Sequence, residues 1–164
     1  MKTIICRDLD ENYEEVPAEK FTFRPAVYGL IIKDDEILLS RQWDGYDFPG
    51  GAIEIYESIP EALTREVKEE TGLDIEPVEI VTAENCHFKM PTSGKYVNSI
   101  LLYYLCKISG GEISDKHFTD SEKAYVKAAE WVKVSELEKV KLYSSAGNMK
   151  IIGKALEIYR RTNL

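Results

Sequence analysis

Residues 50–73, GGAIEIYESIPEALTREVKEETGL, constrain this chain more than any other stretch, because a helix must form there with charge on its apolar side. Ser58 followed three residues later by Glu61 is a capping box, Pro60 falls in the tolerant first turn, and Gly72 suits a C-terminal cap. These signals predict a helix over 59–71. Taking about 100° per residue and Glu66 as zero, Ile59, Ala62 and Leu63 fall at about +20°, −40° and +60°, and Glu69 and Glu70 at about −60° and +40°. The acids Glu66, Glu69 and Glu70 thus continue the apolar face. Glu61, Thr64, Lys68 and Thr71 fall on the opposite side.

Desolvating a carboxylate costs several kcal/mol unless it is paired, and like charges four residues apart repel. Something positive is required on that face. Arg65 lies at its edge and neutralises one acid at most, and the helix carries no His or Cys that would offer a softer ligand. Carboxylate oxygens alone select hard divalent cations, Mg²⁺ or Mn²⁺. Just upstream, DFPGG at 47–51 adds a proline that directs the chain and two glycines, Gly50 and Gly51, that let backbone approach a metal or ligand closely. The competing reading is an exposed acidic helix preceded by glycines that only turn the chain.

The rest of the sequence bounds this site. At 164 residues, with no repeat or linker, the chain reads as a single domain over 1–164. The 21 basic and 29 acidic residues give a net charge of −8, which argues against nucleic acid as a partner through phosphate neutralisation. Cys6, Cys86 and Cys106 are odd in number and far apart, so buried free thiols are expected rather than disulfides or a zinc knuckle. The apolar run at the start is too short for a signal-peptide core and acids follow at once, and SILLYYLCKI at 99–108 is too short to span a membrane. A reduced, cytoplasmic, soluble protein without membrane partners follows as the expectation.

Residues 26–42 carry two apolar runs around the polar turn at 33–36, and the runs PVEIVTAENCHFKM and KYVNSILLYYLCKI flank PTSG, so two hairpins are expected. AAEWVKV reads as a further strand, and Ile151, Ile152, Ala155, Leu156 and Tyr159 recur at helical spacing near the end. Strands and helices intermix, favouring α/β layers. Residues 1–24 stand apart as an acidic, irregular extension that is either an added edge hairpin or a mobile arm.

The segment 51–73 resembles the Nudix box, G-x5-E-x7-R-E-U-x-E-E-x-G-U with U a bulky aliphatic residue. Gly51, Glu57, Arg65, Glu66, Val67, Glu69, Glu70, Gly72 and Leu73 meet every specified position. At ordinary residue frequencies such a match arises by chance on the order of 10⁻⁸ per window. Tyr56 departs from the glycine that many members have there, and AEWVKVSEL resembles the strand and short helix that close many members' folds.

The resemblance implies an α/β/α sandwich around a mixed β-sheet, with the C-terminal helix as one layer. It also implies a pyrophosphohydrolase acting on a nucleoside diphosphate linked to another moiety: a nucleoside triphosphate, nucleotide sugar or dinucleotide. By position, Glu66, Glu69, Glu70 and the Gly50 carbonyl would hold Mg²⁺ or Mn²⁺, while Gly51, Glu57 and Arg65 would support the site. Glu69 and Glu70 are the catalytic positions within the box. The general base comes either from the box or from a later loop, where Glu122 is the better placed candidate and Glu112 the second. Trp43, Tyr46 and Phe88 are candidates to stack a base, against a core role for each, and His87 and His117 receive no role. The motif of coenzyme A pyrophosphatases is absent. Phe88 and Lys89 stand where ADP-ribose members have a proline, and Pro91 is displaced, which weakens an ADP-ribose substrate. A small-molecule nucleotide is the expected partner, and a homodimer is open to the chain. Two rivals are a non-catalytic nucleotide-sensing module, which usually loses box glutamates, and an isopentenyl diphosphate isomerase, whose catalytic cysteine and glutamate motifs are not found.

Overall fold

The computed structural model describes residues 2–114, 126–143 and 148–164. Ten strands and two α-helices follow in the order β1 (Thr3–Arg7), β2 (Tyr13–Pro17), β3 (Phe21–Phe23), β4 (Ala26–Lys33), β5 (Glu36–Gln42), β6 (Gly45–Asp47), β7 (Gly50–Ala52), α1 (Ile59–Thr71), β8 (Leu73–Lys89), β9 (Tyr96–Gly111), β10 (Val126–Lys133) and α2 (Asn148–Thr162). Both expected hairpins form, β4–β5 and β8–β9, as do the helix at 59–71, the strand at AAEWVKV and the C-terminal helix. The extension is the edge hairpin: β1 pairs antiparallel with β2 and joins the sheet beside β8.

The sheet runs β10-β5-β4-β9-β8-β1-β2, with β3 on β9, β6 on β5 and β7 on β4. It is mixed, since β4 runs parallel to β9 while β8 and β9 are antiparallel. Strand β4 forks. Its first half pairs with the glycine-rich β7 and its end with β5, and the gap between these partners opens toward α1.

Alternation along β4 explains the two layers. Ala26, Leu30 and Ile32 face Ile151, Ile152 and Ala155 of α2, whereas Val27 and Ile31 face Ala62, Leu63 and Val67 of α1. Gly29 lets α1 approach, because a Cβ there would lie 3.2 Å from Val67. The result is a mixed sheet with one helix on each face.

Helix α1 is bounded as its caps require. Glu61 accepts from the Ser58 backbone N–H at 2.8 Å and from its hydroxyl at 2.6 Å, and Gly72 closes the helix with a left-handed φ of 80°. One facing is corrected. Thr71 is fully buried rather than solvated, because its hydroxyl donates to the Val67 carbonyl at 2.7 Å and accepts from Leu73 N–H at 3.1 Å. The buried stripe of Ala62, Leu63, Val67 and Thr71 therefore reaches further round the helix than expected, with Glu66 and Glu70 within its span and Glu69 exposed at its edge. No helix among the described residues is long and apolar enough to cross a membrane. Cys6 and Cys106 are buried free thiols, and Cys86 is half-buried.

Packing rather than capping should dominate the hold on α1. Replacing Leu63 by Ala empties space between α1 and β4 and is expected to cost about 2–5 kcal/mol in urea unfolding, against about 0.5–2 kcal/mol for Ser58→Ala. Equal losses would show that the cap and not the sheet contact fixes the helix.

Candidate active site

Glu70 sits where α1, β5 and β7 meet. Its Oε2 accepts from the Ser40 hydroxyl at 2.7 Å and from the Gly50 N–H at 3.1 Å, and Oε1 has no hydrogen-bond partner among the described residues. Burial pushes its carboxyl up to about 8, against the pull of those two donors, with Glu66 and Asp47 adding like-charge repulsion. Glu66 is raised by burial as well, with Arg65 opposing. Glu69 differs, its side chain being 53% exposed on the outer flank.

The glycine pair is explained by contact. A Cβ on Gly51 would lie 2.6 Å from the Glu66 carboxylate, and one on Gly50, whose φ is 150°, would lie 2.7 Å from the Tyr28 Cα. The close approach is thus by a carboxylate and by β4. Arg65 braces this floor through several groups at once. Its Nε and Nη2 donate to the two oxygens of Glu57 at 2.6 and 2.8 Å, Nη1 lies 2.9 Å from Glu66 and 3.3 Å from Glu69, and Nη2 also donates to the Ala52 carbonyl at 3.2 Å. The Glu57 carboxyl is held down at about 2, chiefly by the Arg65 hydrogen bonds. Arg65 therefore touches more acids than the one assigned to it, although its single charge leaves the cluster negative. Ile55 and Tyr56 on the preceding loop are exposed, so the departure at Tyr56 leaves the floor intact.

A cleft of about 600 Å³ opens above this floor. Glu66, Glu70, Gly50 and Gly51 line its base, and Trp43, Phe88 and Tyr143 line its walls. Trp43 meets the Tyr143 ring edge-on at 5.6 Å. Tyr46 is corrected: it is absent from the cleft wall, being half-buried against the core with its hydroxyl donating to Glu130 at 2.9 Å. Glu112 is exposed beyond β9 and does not line the cleft. His87 packs edge-on against Phe21 at 5.4 Å. Glu122 and His117 lie outside the described residues.

Sequence reasoning missed several lining groups, among them an acid, two arginines and two tyrosines, Tyr28 and Tyr143. Asp47 precedes the proline of DFPGG and is pushed up to about 7 by burial, with its Oδ1 accepting the Phe48 N–H at 2.8 Å. Its signal was a charge beside a buried Phe-Pro pair. Arg7, Arg24 and Tyr28 also line the cleft, and only the register of the edge hairpin and of β4 brings them there.

Among the described residues, no three His, Cys, Asp or Glu side chains converge tightly enough to make a ready-formed metal cage. The reason is competition: Arg65 draws Glu66 and Glu69 to itself while Ser40 and Gly50 hold Glu70. The donor set nonetheless suits a hard divalent cation, being all carboxylate and carbonyl oxygen, with Oε1 of the half-buried Glu70 still open.

A NUDIX domain profile matches residues 22–151. An ADP-ribose pyrophosphatase of Methanocaldococcus jannaschii is 45% identical over 53 residues, covering 29% of this chain and 31% of that protein. An RNA pyrophosphohydrolase of Teredinibacter turnerae is 42% identical over 76 residues, covering 42% of this chain and 44% of its own. The match thus spans less than half the length of each of these relatives. Among solved structures, an ADP-ribose pyrophosphatase from Streptococcus suis superposes with a TM-score of 0.63 at 26% identity, covering 84% of this chain and 92% of that one. With the profile spanning most of the sequence and the box residues gathered at the floor of one cleft, the chain belongs to the Nudix family.

Proposed function

We propose that this chain is a divalent-cation-dependent pyrophosphohydrolase that cleaves the anhydride of a nucleoside diphosphate linked to another moiety. The observation that carries this reading is the half-buried Glu70 over the glycine turn, beside Glu66, at the base of a cleft with aromatic walls. Two carboxyls raised by burial cost least when a cation replaces their protons. The activities named for the relatives, an ADP-ribose pyrophosphatase and an RNA pyrophosphohydrolase, share a pyrophosphate bond.

Glu66, Glu69, Glu70 and the Gly50 carbonyl would hold Mg²⁺ or Mn²⁺, which supplies charge neutralisation at phosphoryl oxygens and acidifies water at neutral pH. Each residue's part then follows from its contacts. Ser40 and the Gly50 N–H fix Oε2 of Glu70, a residue of the cleft lining, and leave Oε1 without a hydrogen bond among the described residues. Glu57 holds Arg65, so that the guanidinium positions Glu66 without leaving its place under Ala52. Trp43 and Phe88 offer ring faces to a base. Glu122, which precedes β10 in the sequence and lies outside the described residues, would take the proton of the attacking water. A panel of nucleoside triphosphates, nucleotide sugars and dinucleotides assayed with Mg²⁺, with products identified, tests the reading; turnover of none of them overturns it.

Glu70→Gln keeps shape but removes a charged oxygen, so kcat is expected to fall at least about 100-fold with the fold intact. Wild-type turnover would remove Glu70 from the site. The same residue governs stability against pH. A carboxyl raised from an ordinary 4.5 to about 8 on folding carries no penalty below 4.5 and costs progressively more stability as pH rises toward 8. Metal-free wild type should therefore lose melting temperature between pH 5 and pH 8, by roughly 1–3 kcal/mol in stability. Glu70→Gln should lose less, and millimolar Mg²⁺ should restore the wild type at pH 8. A melting temperature flat in pH and indifferent to Mg²⁺ would mean that these acids are simply solvated.

Glu122→Gln is expected to lower kcat by about 10² to 10⁴ without weakening the Mg²⁺ dependence. A defect that added Mg²⁺ repairs would make Glu122 a cation ligand. Unchanged rates would return the base to Glu66 or Glu69.

A further inference from the structure

The edge hairpin β1–β2 lies outside the matched domain, which begins at residue 22, yet it helps to build the cleft. Its placement is specific. Strand β1 meets β8 through the pair Arg7↔Phe88, so Arg7 is set beside an aromatic of the cleft wall. The turn that follows is internally tied: Asp8 accepts from the Asp10 N–H at 2.9 Å and from the Asn12 N–H and side-chain amide at 2.8 and 3.0 Å. Across the hairpin, Glu14 accepts from Lys89 at 3.3 Å and from the Tyr96 hydroxyl at 3.1 Å, fastening β2 to the β8–β9 layer.

Two arginines of this cleft differ from the arginines that pair elsewhere and from Lys141 of the same cleft, which pairs with Asp44. Arg41, Arg65 and Arg161 each pair with a carboxylate. Arg7 and Arg24 are half-buried at the cleft and form no ion pair with any carboxylate among the described residues. Arg24 lies beside the Tyr28 phenol, and the charge of Arg7 reaches Asp47 without contact. Neither guanidinium makes an ion pair with the acids that line the same cleft, Asp8, Asp10, Glu11, Asp47, Glu66 and Glu70, so each keeps donors for a ligand anion, and its planar fork matches phosphate. The carboxylate floor, by contrast, repels phosphate except through a cation.

We propose that the N-terminal hairpin is a substrate-binding element, in which Arg7, with Arg24 of the same cleft, binds a phosphoryl group of a diphosphate-bearing ligand directly. The assignment rests on the pyrophosphohydrolase reading for its substrate class. The diphosphate is then divided. One phosphoryl group lies over Glu66 and Glu70, the other lies against the arginines, and a monophosphate cannot engage both.

Arg7→Met in the full chain tests this. With the best substrate of the panel and saturating Mg²⁺, KM should rise about 10- to 100-fold, the loss expected for charged hydrogen bonds, while kcat stays within about threefold. Calorimetric affinity for ADP with Mg²⁺ should weaken by the same factor, AMP affinity much less, and Arg7→Lys should recover part of the loss. The Mg²⁺-induced rise in melting temperature should match wild type, which separates phosphate binding from cation binding and verifies folding. Unchanged KM and ADP affinity in Arg7→Met overturn the proposal. So does a loss that vanishes in an Asp47→Asn background, since Arg7 would then serve only to offset that buried acid. If the wild type hydrolyses nothing in the panel, the activity reading falls, while ADP calorimetry on the same variants still decides the role of Arg7.

Discussion

The Oε2 atom of Glu70 ties three elements that are distant in sequence: the end of α1, Ser40 on β5, and the Gly50 N–H at the start of β7. A half-buried carboxylate with two donors on one oxygen is a costly junction, since neither donor carries charge. That cost sets the rest of the site. The fork of β4 provides the gap into which the side chain reaches, and the glycine pair removes the side chains that would fill it.

The other acids are arranged by scarcity of positive charge. A single guanidinium is divided between Glu57, Glu66 and Glu69 and also holds the Ala52 carbonyl. Its tightest bonds go to Glu57, which is therefore spent on structure, whereas Glu66 and Glu69 keep weaker or longer contacts. One arginine thus sorts like residues into a fixed brace and more loosely held carboxylates, by bond geometry alone.

Much of this was legible in the sequence because it is local. Helix α1, its caps and the acids on one flank follow from spacing within a dozen residues, and both long hairpins follow from polar turns between apolar runs. Thr71 was misread because helical phase alone treats a threonine as polar, whereas its hydroxyl is satisfied within the last turn and the methyl is free to pack. Tyr46 takes the core role weighed against stacking, because Gly45–Asp47 is a short strand on β5 and the strand pairing carries its hydroxyl to Glu130. Arg7, Arg24 and Ser40 could not be found locally, since their neighbours are set by strand register across the sheet.

The parallel pairing of β4 with β9 joins Ala26 to Leu101, and β10 returns from beyond residue 125 to the edge of β5. The hairpins β1–β2, β4–β5 and β8–β9 and the two helices can assemble from nearby sequence, whereas the β4–β9 ladder must wait for a long loop to close. Contacts of such high order make for slow, concerted folding, in which the cleft appears late. During synthesis the carboxylates of α1 emerge before β9 exists to complete the layer beneath them, so the nascent chain has no preassembled cradle that would trap cations or nucleotides before the domain closes.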